Sequence, residues 1–321
     1  MGIRYLWIDS LCIVQDDQDD WRKQAADMSQ LIDNAPLLSR GWAFQERILS
    51  PRVLHFGANE LVWECMEGLA CQCDPRSPQG GIKASLGSIL RAGPSMGGGT
   101  TKLTAAMHWL NLVNQYGGLS LTFWDDKLAA ISGLAKRTLQ FDEGDQYVAG
   151  FWKGDLPHGL AWCCDKTPPN ARPTTWTAPT WSWASIDSRG TFIHFGQSPH
   201  WIYATVEQTE CFLVGPDPTG QIVYAQMIVS GPAAGVELNY DESIIRDTSV
   251  ISRHKNGYQV FLGLEPVGMF WPDYALGAED KGHIASGSGL ICLLVYEYNR
   301  TFGECPNRIL VVSEYPLYMP K

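Results

Sequence analysis

Tyr5-Leu6-Trp7-Ile8-Asp9-Ser10-Leu11-Cys12-Ile13-Val14-Gln15-Asp16-Asp17 is the stretch on which the reading of the fold turns. Its first four residues form a short continuous apolar run, the pattern of a strand buried on both faces, and Asp9 marks a polar edge at the carboxyl end. Asp16, Asp17, Asp19 and Asp20 then precede a helical spacing in which Trp21, Ala25, Met28, Leu31 and Ile32 share one face. Acidic residues there suit the positive end of the helix dipole, and Pro36 stops the helix.

Outward from this opening, Trp42, Phe44, Ile48 and Leu49, then Val53-Leu54-His55-Phe56 and Leu61-Val62-Trp63, predict a short helix and a hairpin turning near Gly57-Ala58-Asn59. From Cys73 to Thr101 the chain is rich in Gly, Pro and Ser, and Gly97-Gly98-Gly99 is a poor match to regular structure, so 76–101 is expected to be a linker. Leu103, Ala106, Met107, Leu110 and Val113 have helical spacing, ended by Gly117-Gly118. A second helix, capped by Asp125 or Asp126, carries Leu128, Ile131, Leu134 and Ala135, which gives a helical hairpin. Beyond it, short strands are expected at 181–186, 191–195, 201–206, 222–230, 258–262, 290–298 and 308–313, an antiparallel β pattern.

Lys and Arg number 24 against 34 Asp and Glu, a formal charge of −10, and no basic run stands out, which argues against nucleic acid and anionic membranes as partners. The longest apolar stretch, Leu290 to Tyr296, falls far short of the roughly 20 residues that span a bilayer, and Met1 leads into a strand-like segment. Neither a signal nor a membrane anchor is expected. Nine cysteines is an odd count, with Cys71/Cys73 and Cys163/Cys164 too close for ordinary bridging; the expectation is free thiols in the cytoplasm. The 13 tryptophans serve either as core packing or as stacking platforms, and packing is the commoner use.

Three blocks in order carry a family resemblance. They are the opening stretch continued through Asp20-Trp21 to Met28; Arg40-Gly41-Trp42-Ala43-Phe44-Gln45-Glu46-Arg47-Ile48-Leu49-Ser50-Pro51-Arg52; and the run from Trp109 through Ile131-Ser132-Gly133-Leu134-Ala135, Tyr147-Val148-Ala149-Gly150-Phe151-Trp152 and Trp181-Ser182-Trp183, with Asp217-Pro218-Thr219-Gly220 beyond. Over most of 3–230 the chain thereby resembles the fungal heterokaryon-incompatibility (HET) domain proteins. Members of that family usually have an opening strand and helix before the first block, whereas here Met1 sits four residues before Tyr5, and the chain passes directly from Asn34-Ala35 to Pro36 where some tens of residues usually intervene. The resemblance therefore implies an α+β protein with a shortened α/β HET remnant, TIR-like or flavodoxin-like, over 1–75. The linker at 76–101 and a helical hairpin plus β-rich domain over 102–321 would complete the chain. It also implies signalling in heterokaryon incompatibility and programmed cell death after hyphal fusion, with protein partners of that pathway and self-assembly as a further option. Neither a cofactor nor a metal is expected.

Several residues stand out as candidates, each with a structural alternative. Asp9, Gln15 and Asp16 lie where open α/β sheets bind ligands, though Asp9 equally caps the following turn. Gln45, Glu46 and Arg47 beside Arg40 combine a carboxylate with cations, fit to hold a ligand phosphate or orient a catalytic Glu; the alternative is an ion pair locking helix to hairpin. Some TIR domains cleave NAD with a glutamate, so by analogy an NAD glycohydrolase would use Glu46 with Asp9 and Arg40. A carbohydrate-binding module is a third reading, resting on Trp abundance. Cys65, Cys71 and Cys73 near His55 lack the usual zinc spacing. Trp181 and Trp183 would alternate on one face of a strand, as a buried wall or a stacking platform, and Asp126-Lys127 would cap and solvate a helix.

Overall fold

The structure is a computed structural model that describes residues 39–56, 60–72, 80–92, 98–139, 144–160, 162–164, 175–186, 190–192, 201–241, 257–270, 288–298 and 307–313. The opening strand and helix, with Asp9, Gln15 and Asp16, lie outside these residues. The chain divides into two compact units, Met1–Ser88 and Ile89–Lys321. Helices and open antiparallel sheets are both present, an α+β architecture.

In the first unit, helix α1 spans Gly41–Leu49 and buries Gly41, Phe44 and Ile48, one stripe of a helical period. Strands β1 (Arg52–Phe56), β2 (Leu61–Cys65) and β3 (Gly68–Cys71) then form an antiparallel sheet in the order β1-β2-β3. The first hairpin pairs Leu54 with Trp63 and Phe56 with Leu61. The strand β3 adds to the expected helix and hairpin, its pairing with β2 running from Cys65↔Gly68 to Val62↔Cys71. Helix α2 (Ile82–Ala92) occupies part of the stretch expected to be a linker. It turns Lys83, Leu86 and Gly87 inward, and a Cβ on Gly87 would come 2.2 Å from the Met66 carbonyl oxygen, so this helix lies against the β2–β3 turn with no room for a side chain.

The second unit begins its long helix, α3 (Gly98–Tyr116), at the very glycines expected to resist regular structure. Its carboxyl end is where the paired glycines predict it, with Gly117 N–H donating to Val113 O at 2.8 Å. The next segment departs from the expected capped helix. Residues Trp124–Lys127 and Ala129–Ile131 form two 3-10 turns, the cap position before the first is Phe123 rather than an aspartate, and regular helix α4 covers only Ser132–Leu139. The apolar side Leu128, Ile131, Leu134 and Ala135 is nonetheless fully buried.

Strands β4 (Tyr147–Val148) and β5 (Phe151–Trp152) make a tight hairpin whose turn, Ala149-Gly150, has positive φ at both residues, 48° and 101°. Those values match the primed two-residue turn that hairpin twist favours. Three side chains clamp it. Trp109 and Trp183 each donate an indole N–H to Gly150 O, at 3.0 and 3.1 Å, and Ser182 Oγ donates to Ala149 O at 2.6 Å. After the short helix α5 (Leu156–Gly159) come β6 (Trp162–Cys164) and β7 (Gly190–Phe192), a two-stranded pair.

The strand expected at 181–186 is not formed; instead Trp183–Ser185 is a 3-10 turn capped by the Ser182 side chain. Trp183 is completely buried while Trp181 is half-buried and stacks on Phe151, so the two indoles do not form one exposed platform. Strands β9 (Thr205–Leu213) and β10 (Ile222–Ser230) form a long hairpin. At its bend Asp217 Oδ1 accepts from Thr219 N and Oγ1, and Lys136 of α4 reaches Asp217 Oδ2 at 2.6 Å. A larger antiparallel sheet runs in the order β13 (Glu265–Phe270), β12 (Gly257–Leu262), β11 (Ala233–Asp241), β14 (Ser288–Tyr298), β15 (Asn307–Ser313), with β8 (Trp201–Ile202) also paired to β14.

Candidate functional site

Alternation along β2 places Leu61 and Trp63 on the exposed side and Glu64 on the inner one, where its side chain is 1 % exposed. A carboxylate taken out of water costs several kcal/mol unless charge and hydrogen bonds replace the lost hydration. An arginine, a histidine and a lysine do so. Arg47 of α1 grips it through two parallel bonds, Nε to Oε2 at 2.8 Å and Nη2 to Oε1 at 2.9 Å. His55 of β1 approaches Oε2 at 3.0 Å through Nε2, and Lys83 of α2 lies 3.9 Å away through Nζ. One side chain thus ties α1, β1 and α2 to β2.

The electrostatics stem from this packing. Burial alone would raise the Glu64 pKa, but hydrogen bonds from His55 and Arg47, together with the Arg47 and Lys83 charges, bring it down to about 2. The carboxylate stays ionised at neutral pH and has little capacity to shuttle a proton there. Lys83 is also 1 % exposed; burial lowers its pKa, the Glu64 charge opposes that, and Nζ has no hydrogen-bond partner.

Of the expected ligand residues, four are described. Arg40 is exposed at the amino cap of α1, Glu46 is exposed, Gln45 is half-buried, and Arg47 is turned onto Glu64 rather than Glu46. The ion pair between helix and hairpin is therefore present, with a carboxylate from outside the expected set. Glu64 carries a legible signal, since it follows Val62 by two on an alternating strand. Lys83 carries one too, lying three and four residues before Leu86 and Gly87. His55 is directed to Glu64, and Cys71 is disulfide-bonded, so the expectation of free thiols fails there. Cys65 and Cys211 are free.

In the second unit Lys127 corrects another expectation. Rather than being solvated it is 2 % exposed, donates to Ile186 O at 2.5 Å, and lies over the Trp124 and Trp183 rings at 4.5 and 5.6 Å. Tyr116 OH donates to its backbone oxygen at 2.6 Å, which binds α3 to the 3-10 turn. His108 is 5 % exposed, and burial holds its pKa down at about 4. Among the described residues no helix is long and apolar enough to cross a membrane.

Fold and site together define an α+β protein whose first unit is organised on a buried, cation-bound glutamate. Residues 1–37 match the family model of the heterokaryon incompatibility protein (HET), 37 of the chain's 321 residues. No curated protein and no solved structure matches the chain.

Proposed function

We propose that this chain is a signalling protein of heterokaryon incompatibility, acting in self/non-self recognition and programmed cell death after hyphal fusion. The observation that carries the reading is the match of residues 1–37 to the HET family model. The Arg40–Arg52 block adds support: it forms helix α1 and leads into β1, and its Arg47 is paired with Glu64 of the hairpin. On this reading residues 1–75 belong to a HET domain of TIR-like ancestry working in the cytoplasm. Because the buried carboxylate is committed to Arg47, His55 and Lys83, output is assigned to assembly with a protein partner rather than to turnover.

No observation favours the two other readings. An NAD-cleaving Glu46 would need an enclosed site, and that residue is exposed. A sugar-stacking pair would need Trp183 at the surface, where it is not. Induced expression of the chain in a filamentous fungus tests the proposal: growth arrest or death is expected, and healthy colonies holding abundant soluble protein would reject it.

A further inference from the structure

We infer that Lys83, Arg47 and His55, with the amino end of α2, form a binding site for a phosphate-type anion. This goes beyond the signalling reading and does not depend on it. The charges at the cluster do not balance, since Arg47 and Lys83 face the single carboxylate of Glu64, leaving one positive charge in excess even with His55 neutral. Glu64 occupies Nε and Nη2 of Arg47 and Nε2 of His55, so Arg47 Nη1 and His55 Nδ1 are not among the atoms bound to it.

Lys83 is the decisive group. Its side chain is 1 % exposed and Nζ has no hydrogen-bond partner, while Glu64 at 3.9 Å is beyond hydrogen-bond reach. An ammonium that has lost its water and gained no acceptor is costly, and an anion held between it and the neighbouring guanidinium removes that cost. The Arg47 and His55 side chains, 25 % and 23 % exposed, are the edge of the cluster that solvent reaches. Lys83 stands at the second position of an 11-residue helix with no acidic residue in its first turn, so the positive end of the helix dipole adds to the same field.

The test monitors thermal unfolding of the full chain as inorganic phosphate replaces chloride at constant ionic strength. Wild type is expected to show a saturable rise in midpoint of about 2–6 °C, the size that ligand linkage gives near a hundredfold excess over Kd. Lys83→Met should abolish that rise and by itself raise the midpoint in chloride, since it removes a buried ammonium that has no hydrogen-bond acceptor, at similar volume. Lys83→Arg should keep the response. No phosphate-dependent rise in wild type overturns the site, as does an equal rise in Lys83→Met. Should Lys83→Met fail to fold, His55→Gln carries the comparison: a weaker response is expected, and an undiminished one overturns the site.

Discussion

A glutamate held by an arginine, a histidine and a lysine cannot be neutralised without stranding its partners. Glu64→Gln keeps the shape but leaves the Arg47 and Lys83 charges without their counter-charge, so it should destabilise the protein by about 3–5 kcal/mol, a large share of an ordinary folding free energy. Urea unfolding followed by tryptophan fluorescence measures this. The pH dependence has a definite sign. Because the folded-state pKa of Glu64 is depressed from 4.5 to about 2, its contribution is complete above pH 4.5 and is lost as pH falls through about 2. In Glu64→Gln that part of the acid sensitivity should be missing.

His108 acts over a different window: buried and held at about 4 against an ordinary 6.5, it favours protonation of the unfolded chain. Stability should therefore decline as pH drops from 6.5 to about 4, and His108→Phe should flatten the decline. A variant with the wild-type slope over that range would show that burial of His108 does not govern it.

At the scale of elements, the hairpin β4–β5 is the sharpest test of packing. Gly150 has φ of 101°, and a Cβ there would meet Trp183 Nε1 at 2.6 Å, so Gly150→Ala must either strain the turn or displace the indole that donates to Gly150 O. A loss of about 2–4 kcal/mol is expected, with a weakened near-ultraviolet tryptophan signal, because Trp109 donates to the same oxygen. An unchanged signal and midpoint would show the clamp to be unimportant.

How far these elements are legible in the sequence depends on what each rests on. Helix α1, the β1–β2 hairpin and strand β10 follow from periodicity within a few residues, and β10 keeps the expected bounds, Ile222–Ser230. Strand β13 is hidden because Pro266 and Gly268 interrupt it, which an edge position in the sheet tolerates. The alternation of Val236 and Leu238 in β11 is masked by the Ala-Ala-Gly before it. The turns around Lys127 and Trp183 escape local patterns because tertiary hydrogen bonds decide them: a buried ammonium takes the Ile186 carbonyl, and nothing nearby in the chain announces that. Lys83 differs: its spacing to Leu86 and Gly87 places it on the inward face of its helix, but its charge by itself reads as surface.

For the whole molecule, the Glu64 cluster falls within the first unit, while the tryptophan-clamped hairpin and the large sheet fall in the other. The family resemblance is legible because it lies in contiguous motifs; the cluster is not, because its members are spread from Arg47 to Lys83. If the first unit carries the signalling output, damage to its central ion pair should silence the protein even where the chain accumulates.

The most direct measurement is viable-cell counting in a fungal strain after induction of the wild-type chain or Glu64→Gln, with soluble protein quantified in parallel. The account predicts a marked fall in viability for wild type and recovery for Glu64→Gln at equal soluble level. Undiminished viability with abundant soluble wild-type protein would contradict it.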